Sequence, residues 1–228
     1  MKRRARAKAK KPDDKSEEKK QFIEKRDLYM IVGAIVALIV IFMVASAIFK
    51  QIGKIEYGGL TFVKDKFGDI PIYRHGYHFT TASGEIINYN FYVRVNPKEN
   101  NVPVSGEIVF PGEGGLVFLG INGTGLGKCA QSNIALAGLS AFLKNNQFDV
   151  KVGTPDKQEA RNLSVTHVTC DLDETKMTVM VAAGDETKIE KSGNCYDIRV
   201  ANCEILQALE KFEVQALVDA KNRRLAEG

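Results

Sequence analysis

The segment LYMIVGAIVALIVIFMVASAIF occupies residues 28–49 and has no charged side chain in any of its 22 positions. A helix rises about 1.5 Å per residue, so this segment would be about 33 Å long and would cross a hydrocarbon core of about 30 Å. It therefore predicts a single transmembrane helix. This helix divides the chain into a basic tail (1–27), the membrane segment, a juxtamembrane linker (50–59) and a domain (60–228).

Charge on the two sides of this segment predicts its orientation. Residues 1–27 contain 12 Lys or Arg and 6 Asp or Glu, a net charge of +6, whereas residues 50–228 contain 20 and 22, a net charge of −2. Lys and Arg beside a membrane segment tend to stay on the cytoplasmic side. We therefore expect a signal-anchor protein of the cell membrane, single-pass, with its N-terminus in the cytoplasm and its C-terminal domain outside.

The tail is expected to be a lipid-contacting segment. Its first 11 residues carry seven basic side chains and no aromatic side chain. A polybasic segment next to a bilayer is attracted to anionic lipid head groups. Nucleic acid is not an expected partner, because the charge is accompanied by no aromatic side chains and no folded module.

A cleaved signal peptide is the alternative interpretation of the apolar segment. Ala45, Ser46 and Ala47 match the small-residue pattern of a cleavage site. However, both the apolar core and the charged leader of 27 residues are longer than is usual in signal peptides. The sequence therefore favours a retained anchor.

The domain has strand-like patterns first and helical patterns later. Alternation of apolar and polar residues over 85–95 is typical of a sheet with one covered face. Two helices are predicted, at 129–146 and 203–225, with short strands between them. The predicted class is α+β, with a mixed, largely antiparallel sheet packed against two helices.

The two predicted helices have different surfaces. The segment from Ile134 to Leu143 is apolar nearly all round, so burial on more than one side is expected. In the C-terminal helix an apolar stripe faces the core, and we expect Glu210, Glu213 and Asp219 to face away from it.

The four cysteines all follow the apolar segment: Cys129, Cys170, Cys195 and Cys203. An even number in a translocated domain indicates two disulfide bonds, and reduced buried thiols are the alternative. Cys129 and Cys203 each begin a helix after a strand, so parallel strands would bring them to the same edge of the sheet. A straight strand after Cys195 would separate it from Cys203 by more than a disulfide can span. The favoured pairs are Cys129 with Cys203 and Cys170 with Cys195.

A glycine-rich stretch, GINGTGLGKC at 120–129, lies between a predicted strand and a predicted helix. It imitates a phosphate-binding P-loop without matching it. The motif requires glycine at position 122, which is Asn122 here, and Ser or Thr at position 129, which is Cys129. We interpret it as a flexible connection and expect no cofactor.

The three histidines form two short motifs, His75-x-x-His78 and His167-x-x-Cys170, with ligands that zinc accepts. Residues three apart in a strand point to opposite faces, and Cys170 is needed for a disulfide. We therefore expect no metal site.

Acidic clusters at 171–174 and 185–186 are interpreted as turns, since they lack the ligand pattern of a calcium loop. Asn122 and Asn162 each begin a candidate glycosylation sequon. The chain has no G-x-S-x-G elbow, and no catalytic residue is identified.

The sequence favours a non-enzymatic, membrane-anchored binding or interaction module with a protein partner outside the cell. The alternative is a membrane-anchored extracytoplasmic enzyme, hydrolase-like, of unidentified substrate. Whether the chain is an enzyme stays open at this level.

Overall fold

The chain is represented by a computed structural model, which describes four stretches: residues 29–46, 53–81, 83–112 and 114–227. The chain divides into two units, Met1–Ile52 and Gly53–Gly228. The described residues form four α-helices and two β-sheets, one antiparallel and one mixed. This confirms the predicted α+β class.

The first unit contains helix α1, Tyr29–Ser46, which is long and apolar enough to cross a membrane. Length and composition alone fit both interpretations of the segment, the anchor and the signal sequence. The basic tail and the ends of the predicted span, residue 28 and residues 47–49, lie outside the described residues.

The second unit opens with a four-stranded antiparallel sheet in the order β1-β2-β3-β4. Its strands are Lys54–Tyr57, Leu60–Phe67, Ile70–Thr80 and Ile86–Val93. Strand β1 lies within the predicted linker. Strand β3 is continuous over two strand-like stretches, 70–74 and 77–81, which the sequence predicts as separate strands. The turn between β1 and β2 is made by Gly58 and Gly59, whose positive φ angles of 55° and 76° favour glycine.

The second sheet has seven strands in the order β5-β10-β11-β9-β6-β7-β8. Its strands are Val104–Ser105, Leu116–Ile121, Asp149–Thr154, Thr166–His167, Met177–Ala183, Lys188–Ser192 and Cys195–Val200, numbered β5 to β11. Neighbouring strands are parallel except for β10 and β11. The expected single, largely antiparallel sheet is thus wrong for this half. The reason is that a helix follows β6 and another follows β7. Each helix carries the chain back along the sheet, so the next strand runs parallel to the one before.

Helix α2 spans Ser132–Asn145 and follows β6, while α3 spans Lys157–Leu163 and follows β7. The short α3 was not predicted. Its start is fixed by Asp156, whose side chain accepts hydrogen bonds from the amides of Gln158 and Glu159.

Helix α4, Ile205–Glu227, packs against α2 and contacts both sheets. A Cβ on Gly58 would collide with Val218 of α4, so the first sheet lies directly on this helix. The main core joins α2, α4 and both sheets, and its largest fully buried side chains include Phe62, Phe142, Phe212, Leu119, Leu139 and Ile198.

Both helices differ from their predicted surfaces. Helix α2 buries one face only, since Ile134 is 58% exposed and Ala137, Gly138 and Ala141 are exposed too. In α4, Glu210, Glu213 and Asp219 are buried instead of facing solvent. Elements pack around most of the surface of this helix, and Glu210 and Asp219 accept hydrogen bonds there from backbone amides of the neighbouring chain. One example is the Ile108 amide, which donates to Asp219 Oδ2 at 2.8 Å.

Candidate ligand-binding groove

The glycine-rich loop after β6 lies at the switch point of the second sheet, with β7 on one side of β6 and β9 on the other. Open α/β sheets often bind ligands at such a point. Here the loop covers it, because a Cβ added to Gly125 would come within 2.9 Å of Ala183 Cβ. The Thr124 amide also donates to Asn122 Oδ1 at 3.1 Å. The loop is therefore a connection that is held by a hydrogen bond within itself and packs against Ala183.

The cysteines form two bonds in the structure, Cys129–Cys203 and Cys170–Cys195, with α-carbons 5.2 and 5.3 Å apart. This is the pairing favoured from the sequence. Strands β6 and β11 are both parallel to β9, which brings the residues before α2 and α4 to the same edge.

The three histidines are spread over both sheets. His75 and His78 lie in β3 at positions that point to opposite faces, and His167 lies in β8. His75 Nδ1 donates to Thr61 O at 2.9 Å, and His167 Nε2 donates to Pro155 O at 3.0 Å. In the part of the chain that the structure describes, no three His, Cys, Asp or Glu side chains are grouped to hold a metal ion.

One side chain of each acidic cluster, Asp173 and Glu186, interacts with a residue two positions further along the chain. Asp173 Oδ1 accepts hydrogen bonds from the amide and hydroxyl of Thr175, which lowers the pKa of this carboxyl. Glu186 forms an ion pair with Lys188 at 2.7 Å. Of the sequon residues, Asn162 is exposed on α3, whereas Asn122 is half-buried in the loop after β6.

A groove of about 750 Å³ lies between the first sheet, the turn after α2 (146–148) and the C-terminal part of α4. Its volume is within the range of about 300–1,000 Å³ that is common for small-molecule sites. One wall is the inner face of β3, which contributes His75, Tyr77 and Phe79. Their rings follow one another at 6.1 and 6.4 Å between centroids.

The aromatic surface continues on the other side of the groove. Phe110 and Phe148 stack there with ring centroids 4.9 Å apart and an interplanar angle of 27°. Phe110 also packs edge-on against Phe212 of the core at 6.3 Å. The groove is therefore lined by rings that the core holds in place.

The open side of the groove is basic. Lys221, Arg223 and Arg224, near the end of α4, all line it. Lys221 Nζ donates to Gly59 O, and Arg223 forms an ion pair with Glu107. None of the described lining residues is Asp or Glu, although residues 50–228 as a whole carry more acidic than basic side chains. The groove thus combines an apolar aromatic body with a positive rim.

The hydroxyl of Tyr77 fastens the aromatic wall to the turn after α2. It donates a hydrogen bond to Asn146 Oδ1 at 2.9 Å. Burial is the main reason why the pKa of this phenol is raised, so the group stays protonated at neutral pH. Next to it, Tyr89 packs edge-on at 5.4 Å and accepts a hydrogen bond from Asn145 Nδ2. Tyr77 and Tyr89 are therefore fixed parts of this wall.

Two carboxyl groups of α4 are buried near this wall. Burial, and secondly the neighbouring Glu210, raises the pKa of Glu213 well above its usual range. Burial likewise raises the pKa of Glu210 to about 7, although the amides of Arg94 and Val95 each donate to it at 2.8 Å. These carboxyl groups lie in the packed interior and do not line the groove.

Sequence reasoning missed the groove, but its signals are present in the sequence. Aromatic rings and a histidine alternate along β3, and the basic residues that suit the negative end of the α4 macrodipole also form the rim. What the sequence lacked was the juxtaposition of β3 with the end of α4, which are about 140 residues apart in the chain.

No protein-family model, curated protein or solved structure matches this chain. Inference about its function therefore rests on the groove and on the apolar helix.

Proposed function

We propose that this protein is a single-pass, membrane-anchored binding module with its N-terminus in the cytoplasm and its folded domain outside the cell. Its groove binds a ligand that has an apolar or aromatic body and an anionic group. A protein with an apolar side chain and an anionic group at its surface is an equally suitable ligand for the groove. The basic tail contacts anionic lipid head groups on the cytoplasmic side.

The anchored, external placement has three supports. Helix α1 is long and apolar enough to span, and the net charge falls from +6 before it to −2 after it. The two disulfide bonds suit an oxidising compartment. Together these features favour an external domain over a cytoplasmic one.

The observation that carries the binding proposal is the composition of the groove. Its aromatic walls suit an apolar body, and its basic rim suits an anion. Arg223 is already paired with Glu107, so Lys221 and Arg224 supply the charge for this anion. Binding is favoured over catalysis because the polar groups of His75 and Tyr77 hold neighbouring segments through hydrogen bonds and do not pair with each other as a base and a nucleophile.

Topology is tested by protease accessibility. Protease added to sealed cells or spheroplasts should remove the domain after Lys50 and spare a tag at the N-terminus. A tag that is degraded while the domain survives contradicts the orientation. A mature N-terminus at Ile48, found by mass spectrometry, shows that the segment is a cleaved signal peptide.

Ligand chemistry is tested with the full chain in lipid nanodiscs, using 2-naphthoate and its neutral analogue 2-naphthamide as probes in calorimetry. Naphthoate should bind saturably and more tightly than naphthamide. Arg224→Gln should weaken naphthoate binding about 10-fold, or about 1.4 kcal/mol, because it removes a charge-assisted contact. The matched control is Arg161→Gln, on exposed α3. Equal affinity for both probes, or no saturable binding, rejects an anion-binding groove.

A further inference from the structure

The hairpin of β2 and β3 extends beyond both neighbouring strands. Strand β1 ends its pairing with β2 at Lys54 opposite Val63, and β4 ends its pairing with β3 at Val93 opposite Tyr73. Between Lys64 and Ile72 neither strand of the hairpin pairs with a third strand in the described chain. We call residues 64–72 the arm.

The arm is open to solvent on both faces and apolar at its tip. Every residue from 64 to 71 is exposed. At the tip Phe67 is 76% exposed and pairs with Ile70, which is 41% exposed, across a turn at Gly68 and Asp69. An exposed phenylalanine and isoleucine together at the end of a projecting hairpin contribute nothing to the core.

The arm projects from the end of the sheet at which the chain arrives from α1. Gly53 O accepts a hydrogen bond from the Lys64 amide at 2.7 Å, so the chain enters the domain at the base of the arm. Only residues 47–52 separate Gly53 from the last described residue of α1, and such a segment spans at most about 25 Å. From Val63 the strand continues for four residues, or about 14 Å, to Phe67.

We propose that the tip of the arm, Phe67 and Ile70, inserts into the outer interface of the lipid bilayer that holds α1. This proposal rests on the proposed anchoring. Within the arm, Lys64 and Lys66 offset Asp65 and Asp69, so insertion depends on the apolar tip and needs no anionic lipid. The contact gives the domain a second attachment and orients it on the membrane surface.

The chain contains no tryptophan, so one substitution creates a unique fluorescent reporter. Full-length Phe67→Trp in phosphatidylcholine nanodiscs should show blue-shifted emission that lipid with a doxyl group near the interface quenches. The matched control is Ile86→Trp, since Ile86 is 63% exposed at the opposite end of the same sheet. About ten residues of β3 separate the two ends, or about 34 Å, so this control should not be quenched.

A third variant, Phe42→Trp, distinguishes failure of the arm from failure of the anchor. If Phe42→Trp is quenched and Phe67→Trp is not, the arm does not insert while the anchor stands. If neither is quenched, α1 is not in the bilayer and both proposals fail. A third outcome also overturns the proposal. If the emission of Phe67→Trp shifts only when two copies share a nanodisc, and doxyl lipid does not quench it, the tip contacts a second copy of the chain and not the bilayer.

Discussion

The hydroxyl of Tyr77 lies 2.9 Å from Asn146 Oδ1 and donates a hydrogen bond to it. This contact joins the first sheet to the turn that leads from α2 into the second sheet. Because the hydroxyl is largely buried, Tyr77→Phe should lower the free energy of unfolding by about 0.5–1.5 kcal/mol while it keeps the ring. The matched variant is Tyr89→Phe, whose hydrogen bond to Asn145 is exposed. Thermal unfolding followed by circular dichroism should show the smaller loss for Tyr89→Phe, and the reverse order would contradict the structure.

The disulfide bonds are expected to link Cys129 with Cys203 and Cys170 with Cys195 in the purified protein. Peptide mapping without reduction should recover these two linked pairs. Replacing both partners of one pair by serine should cost about 2–4 kcal/mol, since each bond restricts the unfolded chain. A linked peptide pair that contains Cys129 and Cys170 would show a different arrangement of the strands and helices at this edge.

Helix α2 provides a test of which of its faces is buried. Leu139 is fully buried, so Leu139→Ala should lower the free energy of unfolding by about 2–5 kcal/mol. Ile134 is 58% exposed in the same helix, so Ile134→Ala should change the free energy of unfolding by less than about 0.5 kcal/mol. Chemical denaturation of the full chain in detergent measures both. Similar losses for the two variants would indicate that the outer face of α2 is covered by a partner or a second copy.

The extent to which the sequence predicts the structure differs between its halves. Alternation of apolar and polar residues over 85–95 predicted β4, because one face of that strand is covered and the other is exposed to solvent. The second sheet has strands buried on both faces, such as Met177–Ala183, and these read as continuous apolar runs that do not reveal strand direction. The parallel order of that sheet was therefore not predicted.

Polar residues inside the fold were the other failure. A glutamate in a helix normally lies on the face that is exposed to solvent. Nothing in the sequence near Glu210 shows that its carboxylate accepts hydrogen bonds from the amides of Arg94 and Val95. The same holds for the groove, whose aromatic wall and basic rim come from opposite ends of the domain. Contacts between residues that are distant in the chain are what periodicity cannot provide.

The buried carboxyl groups of Glu210 and Glu213 should make the stability of the domain depend on pH. Both groups have a folded pKa above the usual value of 4.5, so the folded state binds more protons than the unfolded state at intermediate pH. Their stabilising effect is complete below about pH 4.5 and is lost as pH rises through about 7 for Glu210 and higher for Glu213. The shift of Glu210 from 4.5 to about 7 corresponds to about 3 kcal/mol.

Thermal unfolding between pH 5 and pH 8 measures this effect, because the exposed Asp156 and Asp173, whose pKa values are lowered, are already ionised in that window. The melting temperature should fall as pH rises. Glu213→Gln keeps the shape of the side chain and removes its charge, so the variant should be more stable than the parent at pH 8 and should lose less stability between pH 5 and pH 8. A parent protein that is less stable at pH 5 than at pH 8 would contradict this prediction. It would mean that Glu210 is ionised in the fold, held by the Arg94 and Val95 amides and the charge of Arg94.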